Sequence, residues 1–455
     1  MASGGGLLDL VARGKKDTFF TQNPKISFFH SVYPKAAPST QEIRITQPRN
    51  RPDWGRWVDF DIEFVGDLMR HPNLVIELPT WLPVLQAHNN PTSITTDLSG
   101  VQYGYCQDVG TLMIEKVQYY MDQYLVHEFW GQWLEWHIAT EPNTAIYNVL
   151  QGRRTTQLCK AATPKQIRVI LPLLGNQAKG EKGFPLIALN KQNFRIRVHL
   201  RKLEELIEAS DSRLKPDPWQ KDFLQQTSRD TAPTPFKTLS KSQMPPLLMT
   251  LETTQVYLPR DIQEYLKKTV IHIPFIQVQL CQFTIEDAQW FPIINANAPS
   301  FIPLRLDFTG PLSKLTVGAQ TEANIRAGQR YNLSASNSQI IQTLRLNTGT
   351  RDRLNEWQST IWRDVSNYYK NNRDARDPFE QPLQIYTLTF GGGDRHTPLG
   401  LFNINRSDIQ ELYVSLAAIS NDSRSNSRKA YIYVFAESWN VLEVKDGRAK
   451  LMFEN

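Results

Sequence analysis

Hydrophobic and polar residues alternate along much of the chain. Val58, Phe60, Ile62 and Phe64 are separated by Asp59, Asp61 and Glu63, the period-two pattern of a strand with one buried and one wet face. Ile196, Val198 and Leu200 alternate likewise with Arg195, Arg197, His199 and Arg201. So do Ile276, Val278 and Leu280 with Gln277, Gln279 and Cys281, and Leu304, Leu306 and Phe308 with Arg305, Asp307 and Thr309. Shorter runs of the same kind lie at 74–78, 167–171, 386–390, 412–416 and 431–435. Pro, Gly, Asn and Asp punctuate them, and 28 prolines do not suit a mainly helical chain. Such strands in both halves predict an all-β protein of antiparallel sandwiches or barrels rather than a doubly wound sheet. Two stretches break the rhythm. Trp130, Trp133, Leu134 and His137 share a helical face, as do Trp357, Ile361, Val365 and Tyr368 or Tyr369, so one short helix is expected in each half.

A weak internal repeat accompanies this pattern. Pro185-Leu186-Ile187-Ala188-Leu189-Asn190 and Pro398-Leu399-Gly400-Leu401-Phe402-Asn403 are both Pro-Leu-x-x-x-Asn. Each follows a Gly-containing loop and precedes an alternating strand, and their spacing from 185 to 398 is 213 residues. The shared context points to a duplicated β-domain. The charged, Pro-rich stretch Leu203–Pro246 reads as an inserted excursion. Strand character returns at Leu247–Leu258, which places the domain boundary near Arg260–Lys268.

Composition narrows the classes. With 455 residues, 40% hydrophobic and 21% charged, the chain can bury a large core without staples. A net charge of +6 spread over that length does not predict nucleic-acid binding. Cys106, Cys159 and Cys281 are odd in number and far apart, which excludes a disulfide framework and suits a reducing compartment. No apolar run approaches the roughly 18–20 residues needed to span a bilayer. The N-terminus lacks the basic and apolar regions of a signal peptide, and Ala2 is not the Gly of a myristoylation start.

Candidate chemistry is sparse. Asp59, Asp61 and Glu63 have a carboxylate spacing that a solvated strand face also explains. Arg195, Arg197, His199, Arg201 and Lys202 form a cationic stripe without interleaved aromatics, again best read as a solvated or salt-bridged face. The eight histidines make no ligand pattern: His127-Glu128 lacks a second His at i+4, and His137 reads as a packed residue. Gly391-Gly392-Gly393-Asp394 is followed by Thr397-Pro398 rather than a helix start, so it reads as a turn and not a phosphate cradle. No nucleophile–base constellation, metal site or cofactor site emerges. Sequons at Asn332, Asn405 and Asn421 are the candidate glycosylation sites, relevant only to a chain that enters the secretory pathway.

The segment Leu7–Tyr33 is more specific. It contains Leu7-Leu8-Asp9-Leu10, Gly14-Lys15-Lys16-Asp17 and Thr21-Gln22-Asn23-Pro24-Lys25-Ile26-Ser27-Phe28-Phe29, closing on Val32-Tyr33. It resembles the start of the major capsid proteins of nucleocytoplasmic large DNA viruses, of iridovirus- or phycodnavirus-like type, with Gln22 in place of the family's Gly. Ile114-Glu115-Lys116-Val117 before the Trp-rich helix, Leu171-Pro172 with Pro185–Leu189, Ile385-Tyr386 with Pro398, Gly400, Asn403 and Asp408, and Asn440-Val441-Leu442 are similar to later segments of that family. The family's Tyr-Arg-Arg is Tyr33-Pro34-Lys35 here, its Gly-Gly hairpin is missing at Met121–Gln123, and its Gly-rich C-terminus is replaced by Lys445–Arg448.

The resemblance implies a double jelly roll: two consecutive eight-stranded antiparallel jelly rolls with short inserted helices and long loops, with Leu203–Pro246 and Gln320–Asp377 as excursions that form an outer tower or contacts between capsomers. On that reading 1–24 is an N-terminal arm, 25–262 the first roll with its excursion at about 203–246, and 263–455 the second roll. It implies a non-enzymatic major capsid protein without cofactors, forming homotrimeric pseudo-hexameric capsomers of an icosahedral virion assembled in the host cytoplasm. The expected partners are neighbouring capsomers, minor capsid and penton proteins, and an internal membrane beneath the shell reached by the arm, with no direct nucleic-acid contact. The alternatives are a minor capsid or scaffolding paralogue of the same fold, and a carbohydrate-binding β-sandwich. For the latter, the 11 Trp and 16 Tyr sit mostly at core positions of the pattern.

Overall fold

The computed structural model describes residues 38–79, 103–140, 159–160, 165–174, 183–209, 223–225, 234–236, 245–286, 301–335, 338–349, 357–365, 384–390, 400–407, 409–416 and 429–453. Residues 40–455 form one compact unit. The first half contributes β1 (Thr40–Thr46), β2 (Trp57–Asp61), β3 (Leu68–Leu78), β4 (Ile114–Met121), β5 (Tyr124–Trp130), β6 (Lys165–Ile170), β7 (Phe194–Leu200) and β8 (Leu248–Tyr257). The second contributes β9 (Ile271–Ile285), β10 (Phe301–Arg305), β11 (Pro311–Thr321), β12 (Ile341–Asn347), β13 (Trp357–Gln358), β14 (Tyr386–Thr389), β15 (Glu411–Leu416) and β16 (Ala430–Lys445).

Hydrogen bonding orders these strands identically in each half. The first gives β1-β8-β3-β6 and β2-β7-β4-β5, and the second gives β9-β16-β11-β14 and β10-β15-β12-β13. Every strand of the first half thus has its counterpart eight strands later. Two antiparallel four-stranded sheets in this order make a jelly roll, and the chain has two of them in succession. Short strands extend the sheets: Phe184–Pro185 joins β3, Phe402–Asn403 joins β11, and Arg448–Leu451 joins β16. Helix α1 (Gly131–Ala139) follows β5, and helix α2 (Arg260–Lys268) joins β8 to β9.

Alternation explains most strands. In β7, Phe194, Ile196, Val198 and Leu200 are buried while the residues between them are half exposed. The second-roll core draws on both of its sheets, with Leu315, Val317 and Ile432 against Leu344, Leu412 and Val414. Strand β16 differs: nearly every residue from Ala430 to Asn440 is buried, on both faces. One face belongs to its own core, and Tyr433 and Phe435 on the other join the core cluster of the first roll.

Several local expectations need correction. Trp357 lies in strand β13, paired with Leu344, and the helical stretch begins after it, at 359–365; residues 366–383 are outside the described set. The stretch Gln320–Asp377 is not an excursion, because it carries β12 and β13 of the second roll. The repeat is real but out of register. Pro185 pairs with Leu68 at the start of β3, and Asn403 pairs with Pro311 at the start of β11, so the equivalent positions, 185 and 403, are 218 residues apart. What was duplicated is a pairing pattern and a short turn with a buried apolar residue, Leu186 or Ile404, rather than the Pro-Leu-x-x-x-Asn letters. At the β4–β5 hairpin, Asp122 takes the left-handed conformation (φ 54°), which Asp tolerates better than most residues. Leu7–Tyr33, Asn421 and Gly391–Asp394 lie outside the described residues.

Two details fix edges and corners. The free edge of β2 is closed by its own chain: Asn50 donates to the Trp57 carbonyl and accepts from the Asp59 amide, and the Arg49 amide donates to the Asp59 carbonyl. At the corner where β5 becomes α1, a Cβ on Gly131 would lie 2.1 Å from the Ile114 carbonyl oxygen and 2.4 Å from that of Thr111. Backbone cannot step aside as a side chain can. Gly131→Ala is therefore expected to destabilise the fold by about 3 kcal/mol, read from urea denaturation.

Candidate functional site at the seam between the two rolls

Helix α1 leaves the first roll and lies on the outer face of β11 and β16. Trp136 meets Phe435 edge-on at 5.3 Å between ring centroids and Tyr433 at 6.4 Å. Its ring also covers Gly318, where a Cβ would come within 2.4 Å of it. Trp130 adds a contact to Phe435, and His127 an edge-on contact to Phe275. Ile273, Phe275, Val278, Tyr433, Phe435, Leu442 and Val444 of the second roll thereby belong to the same core as Phe60, Ile76 and Val198 of the first. The seam is built like a protein interior.

A charged cluster sits inside it. Lys314 and Glu437 are direct cross-strand partners on β11 and β16, both almost fully buried, with Nζ 3.8 Å from Oε1. Trp133 Nε1 donates to Glu437 Oε1 at 3.1 Å, and His137 Nδ1 stands 3.6 Å from the same oxygen while its ring stacks on Trp133 at 4.8 Å. Lys314 Nζ also donates to Thr140 Oγ1. The second roll thus supplies the ion pair, and the first roll supplies the donors and acceptors that complete it. Removing one member of such a pair strands a charge away from water, and removing both does not.

Polar contacts pin the seam on either side. Glu208 accepts from Gln329 Nε2 and Tyr331 Oη, each at 2.9 Å, and Glu205 accepts from Arg330. Arg201 lies next to this group, its guanidinium pKa lowered to about 10 by burial and by the charge of Arg330. Elsewhere the Lys191 amide donates to the Gly447 carbonyl, and the Ala449 amide to Gln192 Oε1.

The acidic and basic stripes seen in the sequence turn out to be neighbours. Arg197 grips Asp59 through two hydrogen bonds of 2.7 and 2.9 Å, and Arg195 Nε donates to Asp61 at 2.9 Å. Trp57 and Tyr120 rings flank the Arg197 guanidinium at 5.6 and 5.5 Å, and His199 hydrogen-bonds Gln118. The stripes neutralise each other instead of presenting one sign of charge. Asn405 is exposed, with Oδ1 accepting from the Gly310 amide. Asn332 is half-buried, its Oδ1 accepting from both the amide and the hydroxyl of Ser334 in its own sequon. Among the described residues no group of three or more His, Cys, Asp or Glu could hold a metal ion.

No family model matches the chain. Probable capsid protein 4 of Acanthamoeba polyphaga mimivirus is 23% identical over 208 residues, 44% of this chain and 38% of that protein. A major capsid protein of Chrysochromulina ericina virus is 23% identical over 365 residues, 71% of this chain and 58% of that protein. The chain therefore spans less than two thirds of either relative. Among solved structures, PBCV-1 VP54 superposes with a TM-score of 0.71 over 94% of this chain and 100% of that one, at 14% identity. The Faustovirus major capsid protein does so with a TM-score of 0.56 over 95% and 94%, at 13% identity. The fold is the double jelly roll of those capsid proteins.

Two outcomes follow from the seam. Lys314→Met is expected to cost about 3–5 kcal/mol in urea denaturation, whereas Lys314→Met with Glu437→Leu recovers most of that loss. His127 is the second case: burial among Tyr119, Phe129 and Phe275 lowers its pKa to about 3. The unfolded chain then binds a proton below pH 6.5 that the folded chain refuses until about pH 3. Stability falls through that window on acidification, by about 2 kcal/mol between pH 7 and pH 5 from this group. His127→Phe should remove that share of the pH dependence of the melting temperature.

Proposed function

We propose that this chain is a structural capsid subunit of a large DNA virus. The observation that carries the reading is the fusion of two rolls of identical strand order through a seam built like a core. A wedge of two like modules, repeated three times about an axis, presents six similar modules and so tiles a hexagonal lattice. Similarity to the mimivirus and Chrysochromulina ericina virus capsid proteins supports the same reading. The chain acts as a building block and not as an enzyme.

On this proposal residues 25–262 and 263–455 are the two modules, and 1–24 is an arm that works beneath the shell against minor proteins or an internal membrane. The subunit is a homotrimer in the virion, contacts neighbouring capsomers and penton proteins, and assembles in the host cytoplasm. Sedimentation equilibrium of the purified chain is expected to give about 157 kDa, three times 52.4 kDa. A lone monomer at every concentration would overturn the proposal.

A further inference from the structure

His127 sits where the two rolls meet. Its ring packs on Tyr119 of β4 and Phe129 of its own strand, β5, at 5.8 and 5.5 Å between centroids. From the second roll, Phe275 of β9 meets it edge-on at 5.4 Å. The residue is 4% exposed, and among the described residues its Nδ1 has no hydrogen-bond partner. A buried polar atom left unpaired costs free energy that a phenylalanine of similar shape would not incur. The seam thus carries, at a ring contact between the rolls, a group that stability alone disfavours.

None of these ring neighbours is charged. Tyr119 uses its hydroxyl elsewhere, donating to the Pro172 carbonyl, and Phe129 and Phe275 have nothing to titrate. Burial alone holds the imidazole neutral, with its pKa at about 3. The other titratable groups of the seam do not reproduce this effect. A proton on His137 would face Glu437, 3.6 Å away, and also Lys314, which is paired to that carboxylate, so the two contributions oppose each other. Glu135 of α1 accepts from Thr111 Oγ1 within the first roll. Parting Phe275 from His127 lets water reach the ring, which then binds a proton below its ordinary value of 6.5. The imidazolium cannot return to an apolar slot, so between about pH 6.5 and pH 3 acid favours the opened seam over the closed one.

We propose that His127 is an acid-sensitive latch: once the seam parts beside it, a proton on the ring keeps it from closing, so mild acid loosens the joint between the rolls before either roll unfolds. Opening bares Phe275, Tyr433 and Phe435 of the second roll and Trp136 of α1, all now buried in the seam. Helix α1 reports the event, because nine residues make a helix too short to persist away from its support. The bonds of β16 to β9 and β11 lie within the second roll and outlast it, so the amides of β16 exchange only when that roll itself unfolds. The inference stands apart from the capsid-subunit reading, since it concerns the joint inside one chain.

Hydrogen exchange of the full chain at pH 7 and pH 5, corrected for the intrinsic pH dependence of amide exchange, tests it. The α1 amides 135–140 are expected to be less protected than the β16 amides 432–442 at both pH values. Their protection should fall about 25-fold from pH 7 to pH 5, the change set by a group that titrates at 6.5 when opened and at about 3 when closed. His127→Phe and His127→Gln, neither of which takes up the proton, should hold α1 protection constant between the two. Two variants are used so that a packing defect in one does not decide the result. Protection of α1 that is the same at both pH values, or a loss that survives both substitutions, would overturn the latch. So would equal protection in α1 and β16, which would mean that the seam opens only when the whole subunit unfolds.

Discussion

From Ala430 to Asn440, strand β16 has no solvent side. Ile432, Val434 and Ala436 fill the second roll, while Tyr433, Phe435 and Glu437 meet the helix of the first. Two modules that share a face in this way cannot slide or hinge without opening a core, because close packing leaves no partly separated arrangement of low energy. The charged cluster sharpens that constraint. An ion pair inside an apolar seam adds little net stability, but it tolerates one alignment only, the one in which Trp133 and Thr140 reach Glu437 and Lys314. Apolar packing supplies adhesion and the buried charges supply register.

Most of the fold was legible because most strands have one wet face. β7 alternates between buried and half-exposed residues, and β2 and β15 keep the period of two in their letters although Asp59 and Ser415 are themselves buried. β16 was only partly legible: a strand buried on both faces loses its alternation, so the run at 431–435 marked its existence but not its sixteen residues. β13 was illegible for the opposite reason. Two residues hold no period, and Trp357 followed by Ile361 imitates a helix.

The seam was nearly invisible. Lys314 and Glu437 are far apart in the chain and each looks like an ordinary polar position of a strand. The available signal was Lys314 inside Leu312–Ala319, a run with few polar residues, where a lone charge needs a distant partner. The acidic stripe at 59–63 and the basic stripe at 195–201 were each legible, but their mutual neutralisation was not, since it depends on the β2–β7 register. The repeat shows the same division. Its location could be read in the letters, while its register was recorded only in hydrogen bonds.

The closed edge of β2 matters beyond one molecule. A sheet border with bare amides and carbonyls recruits any strand that drifts past, and recruitment grows with crowding. By turning the Arg49 amide and the Asn50 side-chain amide back onto Trp57 and Asp59, the chain caps that border itself. Copies crowded together then have one less way to zip together irreversibly, and any adhesion between them is left to side chains, which can let go and try again.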